Sequence, residues 1–266
     1  MPDFIQYFLF IGFTGLMFLL RLDARRFGAG EWDTEDGDLS AWLARLTWYA
    51  AGLALGLMVF ALHPAPASDL NLALAPDRGE ALFLGLIYAA GGTVAAFALA
   101  VLAHGHVVFP HPARYPGGVV HAVGTAFYDE FLFRGVVLGL LLSLGLPDWM
   151  AVAAAAFLYA GAVGASTGGR GVLALLVALA IGLAGGFLVL MTGGIGAALM
   201  GHAVTRFALF MTMGYPRVAD SALLLPPSGS AAATGDSRAW LIRPGSFPRG
   251  GDGDDGRGGV GPVRPA

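Results

Sequence analysis

The chain has 266 residues, of which 56% are hydrophobic and only 12% charged, with a formal net charge of −3 and a mean hydropathy of +0.70. That is too much apolar surface for the core of a soluble domain, and the small net charge points to no particular partner. Cysteine is absent, which excludes disulfides, thiolate metal ligands and a cysteine nucleophile.

Apolar runs of about 17 to 25 residues recur along the first four fifths of the chain, the length a helix needs to cross roughly 30 Å of hydrocarbon. The expectation is an all-α, polytopic membrane helix bundle of seven transmembrane helices filling residues 1–213. The first span, 4–20, begins within "MPDFIQYFLF", which has an acid where a signal peptide has a basic region, and no small-residue cleavage site follows its apolar run. It reads as a retained span. "RLDARRFGAGEWDTEDGDLSA" then reads as a solvated loop with an acidic middle, before spans at 42–62 and 80–103. A His- and Pro-rich loop, "HGHVVFPHPARYPGG", leads to the fourth span, 119–145, and the last three lie at 148–165, 171–191 and 194–213.

All fifteen basic residues are arginine, and they sort by side. Arg21, Arg25, Arg26, Arg114, Arg170 and Arg217 fall on one side of the spans, whereas the alternate loops hold only Arg78, beside Asp77 and Glu80. The positive-inside rule then puts the N-terminus outside and the C-terminus in the cytoplasm of a multi-pass cell-membrane protein. Residues 214–266, rich in Gly, Pro, Asp and Arg, cannot bury enough apolar area to offset their conformational entropy and read as a disordered cytoplasmic tail. "DGDDG" within it is similar to the start of a calcium loop but lacks the bidentate Glu at the twelfth position.

The fourth span holds "TAFYDEFLFRG", three charges at a depth of roughly 15 Å, near the bilayer middle. Each costs about 2.5–3.5 kcal/mol to insert there, so they should face protein or water. Glu130 and Arg134 are four apart, stacked on one helix face with the acid toward the N-terminal side, as an ion pair prefers. Asp129, about 100° away, is an acid that a self-contained structural clamp does not need.

"DEFLFRG" resembles the E-E-x-x-x-R signature, often continued as Phe-Arg-Gly, of the CPBP family of CAAX proteases and bacteriocin-processing enzymes. The resemblance covers the fourth to seventh spans, about 119–213, and implies their intramembrane protease core. It implies that Asp129 stands at the proposed catalytic acid, one methylene shorter than glutamate, while Glu130 and Arg134 keep the structural pair. The family's second motif, F-x-x-x-H, corresponds to "FLYAG", with Phe157 present and Gly161 in place of histidine. Its third, H-x-x-x-N, corresponds to "HAVTR", with His202 present and Arg206 in place of asparagine.

Two functions follow from the resemblance. In the first, an endopeptidase cleaves prenylated or other membrane-associated peptides: Asp129 activates water, Glu130 and Arg134 orient it, and His202 stabilises the oxyanion, with Tyr128 and Tyr159 as further donors. In the second, a non-catalytic pseudoprotease binds membrane segments or a partner protein. Partners are membrane lipid and such peptides or proteins, with no nucleic acid. A zinc ion is implied by the family, but His202, Asp129 and Glu130 are few ligands for one, with His104, His106 and His111 in a loop and His121 about 12 Å along the helix. Arg206 is expected either to bridge to Asp129, cancelling it as a base, or to snorkel and leave Asp129 free. A rhomboid-like reading of "GAST" with Ser166 fails on its mismatch in depth with His202, and no H-E-x-x-H occurs. Glycines in the last two spans, as in "TGGIGAALMG", read as close helix packing within the bundle. A transporter is disfavoured because the halves do not repeat.

Overall fold

The computed structural model describes residues 4–27, 39–107, 109, 115–167 and 171–213. Among them the chain is helical, with no strand. Helix α1, Phe4–Leu22, is followed by a short 3₁₀ turn and then by α2, Leu39–Leu62. A single-turn helix, α3 (Pro66–Asp69), precedes α4, Arg78–His104. The next rod is continuous in three parts: α5 (Tyr115–Asp129), a π-helical segment Glu130–Val137, and α6 (Leu138–Ser143). Helices α7 (Asp148–Thr167), α8 (Gly171–Thr192) and α9 (Gly196–Met213) complete the bundle. With the continuous rod taken as one, the seven expected spans correspond to seven long helical rods, the fourth starting at Tyr115 rather than near residue 119.

The stops follow local chemistry. Asp77 caps α4, its carboxylate accepting from the amides of Gly79 and Glu80 at 2.8 and 3.0 Å. Gly105 closes α4 in the left-handed region at φ 74°, and Gly145 does the same after α6 at φ 85°. There the amide of Leu146 donates to Leu141 and that of Gly145 to Leu142, which satisfies the last carbonyls of the rod.

Helices α1, α2, α4 and α8 contain stretches long and apolar enough to cross a membrane. Large apolar side chains such as Phe4, Val94, Leu102 and Val172 stand on the outside of the bundle, as expected of a lipid-facing surface. The chain is a helical membrane bundle.

Helix α9 is the hub, packed on α4, α5 and α8. Small residues set the approach: a Cβ on Gly201 would come within 2.7 Å of the Tyr88 Cβ on α4, and one on Gly182 of α8 within 2.9 Å of the Ala156 Cα on α7. The expected intra-bundle role of these glycines is what the packing displays. Helix α1, by contrast, buries only Leu9, Phe13, Met17 and Arg21, one seam at a spacing of four.

The α2–α4 connection dips into the bundle. The amide of Asn71 donates to the Gly135 carbonyl at 3.2 Å, and Ile195 and Gly196 donate to Ala73 and Leu74 at 2.8 Å each. A Cβ on Gly139 would lie 2.6 Å from the Asp69 carbonyl oxygen, so glycine is what lets this backbone lie against the rod.

Residues 28–38, 108, 110–114, 168–170 and 214–266 lie outside the described residues, and with them the acidic loop, His111, Arg114, Arg170, Arg217 and the expected tail. The side chains of Arg25, His104 and Ser166 also lie outside the description.

Candidate functional site

The site is built where α5 passes into the π-helical segment. In a regular α-helix, neighbours such as Asp129 and Glu130 point about 100° apart, and one would face outward at a narrow contact. The π turn, in which the Leu138 amide donates five residues back to the Phe133 carbonyl, adds a residue to the turn and widens the buried arc. Asp129 and Glu130 are both fully buried, as are Leu132 to Val137. Buried charges need partners, and each acid finds its own.

Asp129 lies between two arginines. One carboxylate oxygen accepts from Arg21 Nη2, delivered by the last turn of α1; the other accepts from Arg206 Nη2 of α9 at 2.5 Å. The Tyr159 hydroxyl adds a long contact of 3.5 Å to that second oxygen. Glu130 Oε1 faces the His202 Nδ1 at 2.6 Å and Arg134 Nη1 at 3.4 Å. Arg134 also donates to the Ile181 carbonyl at 3.0 Å and lies 4.4 Å over the Tyr159 ring.

His202 is fixed at both ends. Arg206 Nε lies 3.1 Å from Nε2, and a guanidinium only donates, so Nε2 is the acceptor. The proton therefore sits on Nδ1 and is donated to Glu130. The Tyr159 hydroxyl lies 3.4 Å from the same Nε2 and 3.3 Å from Arg206 Nη2.

The structure thus brings Asp129, Glu130, Arg134 and His202 into one buried cluster, and Arg206 bridges to Asp129 rather than snorkelling. Three expectations need correction. Arg21, read as a basic residue at the inner surface, is buried in the site, so the formal charges on Arg21, Arg134 and Arg206 exceed those on Asp129 and Glu130. Phe157 is 65% exposed, and Gly161 faces outward with it, because residues four apart share a helix face. Two residues from each, about 200° round the helix, it is Tyr159 that enters the cluster. A histidine at 161 would therefore not reach Asp129. Tyr128, weighed as an oxyanion donor, turns instead into an aromatic group with Trp48 and Tyr49, its hydroxyl without a hydrogen-bond partner.

A signal for Arg21 was present: Leu9, Phe13, Met17 and Arg21 fall on one stripe, so a buried α1 seam carries the arginine inward. No comparable pattern marks Trp48, whose indole donates to the Leu20 carbonyl at 2.9 Å.

The residues present do not fit a metal ion. Both Asp129 oxygens face cations, His202 has both ring nitrogens engaged, and Glu130 Oε1 is held by His202, which leaves Glu130 Oε2 as the one donor of this set without a hydrogen-bond partner. Tetrahedral zinc needs three free donors and an open position. Among the described residues no group of three or more His, Asp or Glu side chains is arranged to hold one.

The centre gathers acids, arginines and a histidine around one buried helical rod of the bundle. Residues 112–208 match the family described as type II CAAX prenyl endopeptidase Rce1-like, so the resemblance carried by the fourth-span motif holds over α5 to most of α9. No curated protein and no solved structure matches the chain.

Proposed function

We propose that this protein uses the CAAX-protease-like core without hydrolysis, its acid centre serving as an ion-pair lock, and that it binds membrane-associated peptide segments or a partner protein. The observation that carries this reading is the double engagement of Asp129 by Arg21 and Arg206. A general base must reach its water at about 2.6–3.2 Å with a lone pair to spare. Asp129 offers neither oxygen free of a guanidinium, and His202 Nε2, the alternative base, accepts from Arg206. His202 also cannot donate to an oxyanion while its one proton is held by Glu130.

The competing reading, an endopeptidase for prenylated or other membrane-associated peptides, is favoured by the contact between Glu130, Arg134 and His202 and by the family match. It requires at least one of the two arginines to leave Asp129. The arginine distribution supports an N-terminus outside and a cytoplasmic C-terminus, with residues 214–266 as a tail.

Purified protein in detergent, offered a pool of prenylated and single-span peptides, tests the choice. The wild type is expected to bind peptides and leave them intact, whereas Arg206→Asn, which frees one Asp129 oxygen and His202 Nε2, is expected to raise hydrolysis above background. Cleavage by the wild type that disappears in both Asp129→Asn and His202→Ala would replace this proposal with the endopeptidase.

A further inference from the structure

Arg21 does more than balance a charge. Its guanidinium carbon lies 5.2 Å from the Trp48 ring centroid and 5.5 Å from that of Tyr128, while Asp129 accepts its Nη2 hydrogen bond. The two rings are 4.5 Å apart and tilted by 31°, and Tyr49 closes on both edge-on at 5.2 and 5.3 Å. Trp48, Tyr128 and Asp129 are all buried to within 2% of full exclusion, so these groups are held in place and dry. A carboxylate beside paired aromatic faces is the recognition chemistry of a planar organic cation. A compact ammonium, more strongly hydrated, suits it less.

Three different helices supply the parts. Trp48 comes from α2, Tyr128 and Asp129 from α5, and the cation from α1, whose fully buried residues form one stripe. The wall residues lie on other helices than the one that fills it, although the Trp48 indole also donates to the Leu20 carbonyl of α1 at 2.9 Å.

We infer that Trp48, Tyr128 and Asp129 form a binding site for a guanidinium-class cation, and that α1 fills it with its own Arg21 as a tethered ligand. This deepens the proposed reading of the same centre: while α1 is seated, Asp129 stays covered. When α1 lifts, the site accepts an alkylguanidinium from elsewhere, such as an arginine side chain of a bound peptide.

The test is chemical rescue of full-length protein in detergent. Arg21→Ala is expected to melt lower than wild type, and ethylguanidinium at about 10 mM to raise its melting temperature by about 3 °C. Ethylammonium at the same concentration should not do so. Neither compound should shift the wild type or the Arg21→Ala/Asp129→Asn double variant. Equal effects of the two compounds on Arg21→Ala, or equal rescue of the double variant, would overturn the inference.

Should Arg21→Ala fail to fold, amide exchange in the near-isosteric Asp129→Asn decides. The last turns of α1 should exchange at least about tenfold faster than in wild type while α8 is unchanged. Unaltered α1 protection would refute a tethered ligand. The result stays separable from the proposed function: wild-type peptidase activity would sink that reading and leave ethylguanidinium rescue standing.

Discussion

At the scale of single residues, the cluster divides into groups held from one side and groups held from two. His202 is of the second kind, so His202→Ala removes the partner of Glu130 and of Arg206 Nε at once. Breaking a buried charged network in this way costs about 3–5 kcal/mol. A corresponding fall in the denaturation midpoint is expected in detergent, and a change below about 1 kcal/mol would mean that the Glu130 contact contributes little. Arg206→Asn leaves Asp129 paired to Arg21 and should cost less, about 1–3 kcal/mol. Much of this was legible in the sequence. The spacing of Glu130 and Arg134 gave the pair, and Arg206 in place of asparagine gave the bridge to Asp129 as one of two alternatives, the other being a snorkelling arginine. What spacing could not supply was the second arginine on Asp129 or the bond from Glu130 to His202, because both join residues far apart along the chain.

Among the elements, the π-helical segment decides how the motif is presented. Deleting Phe131 would return the segment to α-helical register and turn Asp129 about 100° relative to Val136 and the residues beyond it. The expected outcome is a loss of stability at least equal to that of Asp129→Asn, with the helix content by circular dichroism preserved. A deletion variant as stable as wild type would show that the extra residue does not set the site. Glycines separate in the same manner. Gly139→Val forces a side chain against the backbone of Asp69 and Leu70 and should displace the α2–α4 connection, costing about 3 kcal/mol or more. Gly124→Ala, with no atom within 4 Å of the added Cβ, should leave stability within about 0.5 kcal/mol. The sequence identified helices by apolar length, yet it gave no sign of the π turn, since one inserted residue leaves the apolar pattern of so hydrophobic a rod unchanged. It also gave the second-motif positions without their direction, so nothing in it separated Phe157 and Gly161, which face outward, from Tyr159, which enters the cluster and was only one candidate donor.

For the whole molecule, the absence of native cysteine makes the proposed orientation simple to check. Ser68→Cys in the α2–α4 connection and His106→Cys after α4 are at exposed positions on opposite ends of α4. With the N-terminus outside, a membrane-impermeant maleimide added to intact cells should label position 68 and spare position 106 until the membrane is opened; the reverse pattern would invert the topology. The architecture itself was the most legible level, because about 20 apolar residues per span is a requirement of the bilayer rather than a preference of the chain.

The division of labour among the helices also bears on how the chain is made. The four rods long and apolar enough to partition alone are α1, α2, α4 and α8, whereas the acids, Tyr159 and His202 ride on the other three. Asp129 follows Arg21 by 108 residues, a delay of about 5–20 s at ordinary rates of translation. Arg21, in the last turn of α1, is therefore made before its acid, and Arg206 joins them only with the last helix. Assembly order is written into the charge pairing: until α9 arrives, Arg21 is the guanidinium already available to receive Asp129 as that acid leaves the translocon.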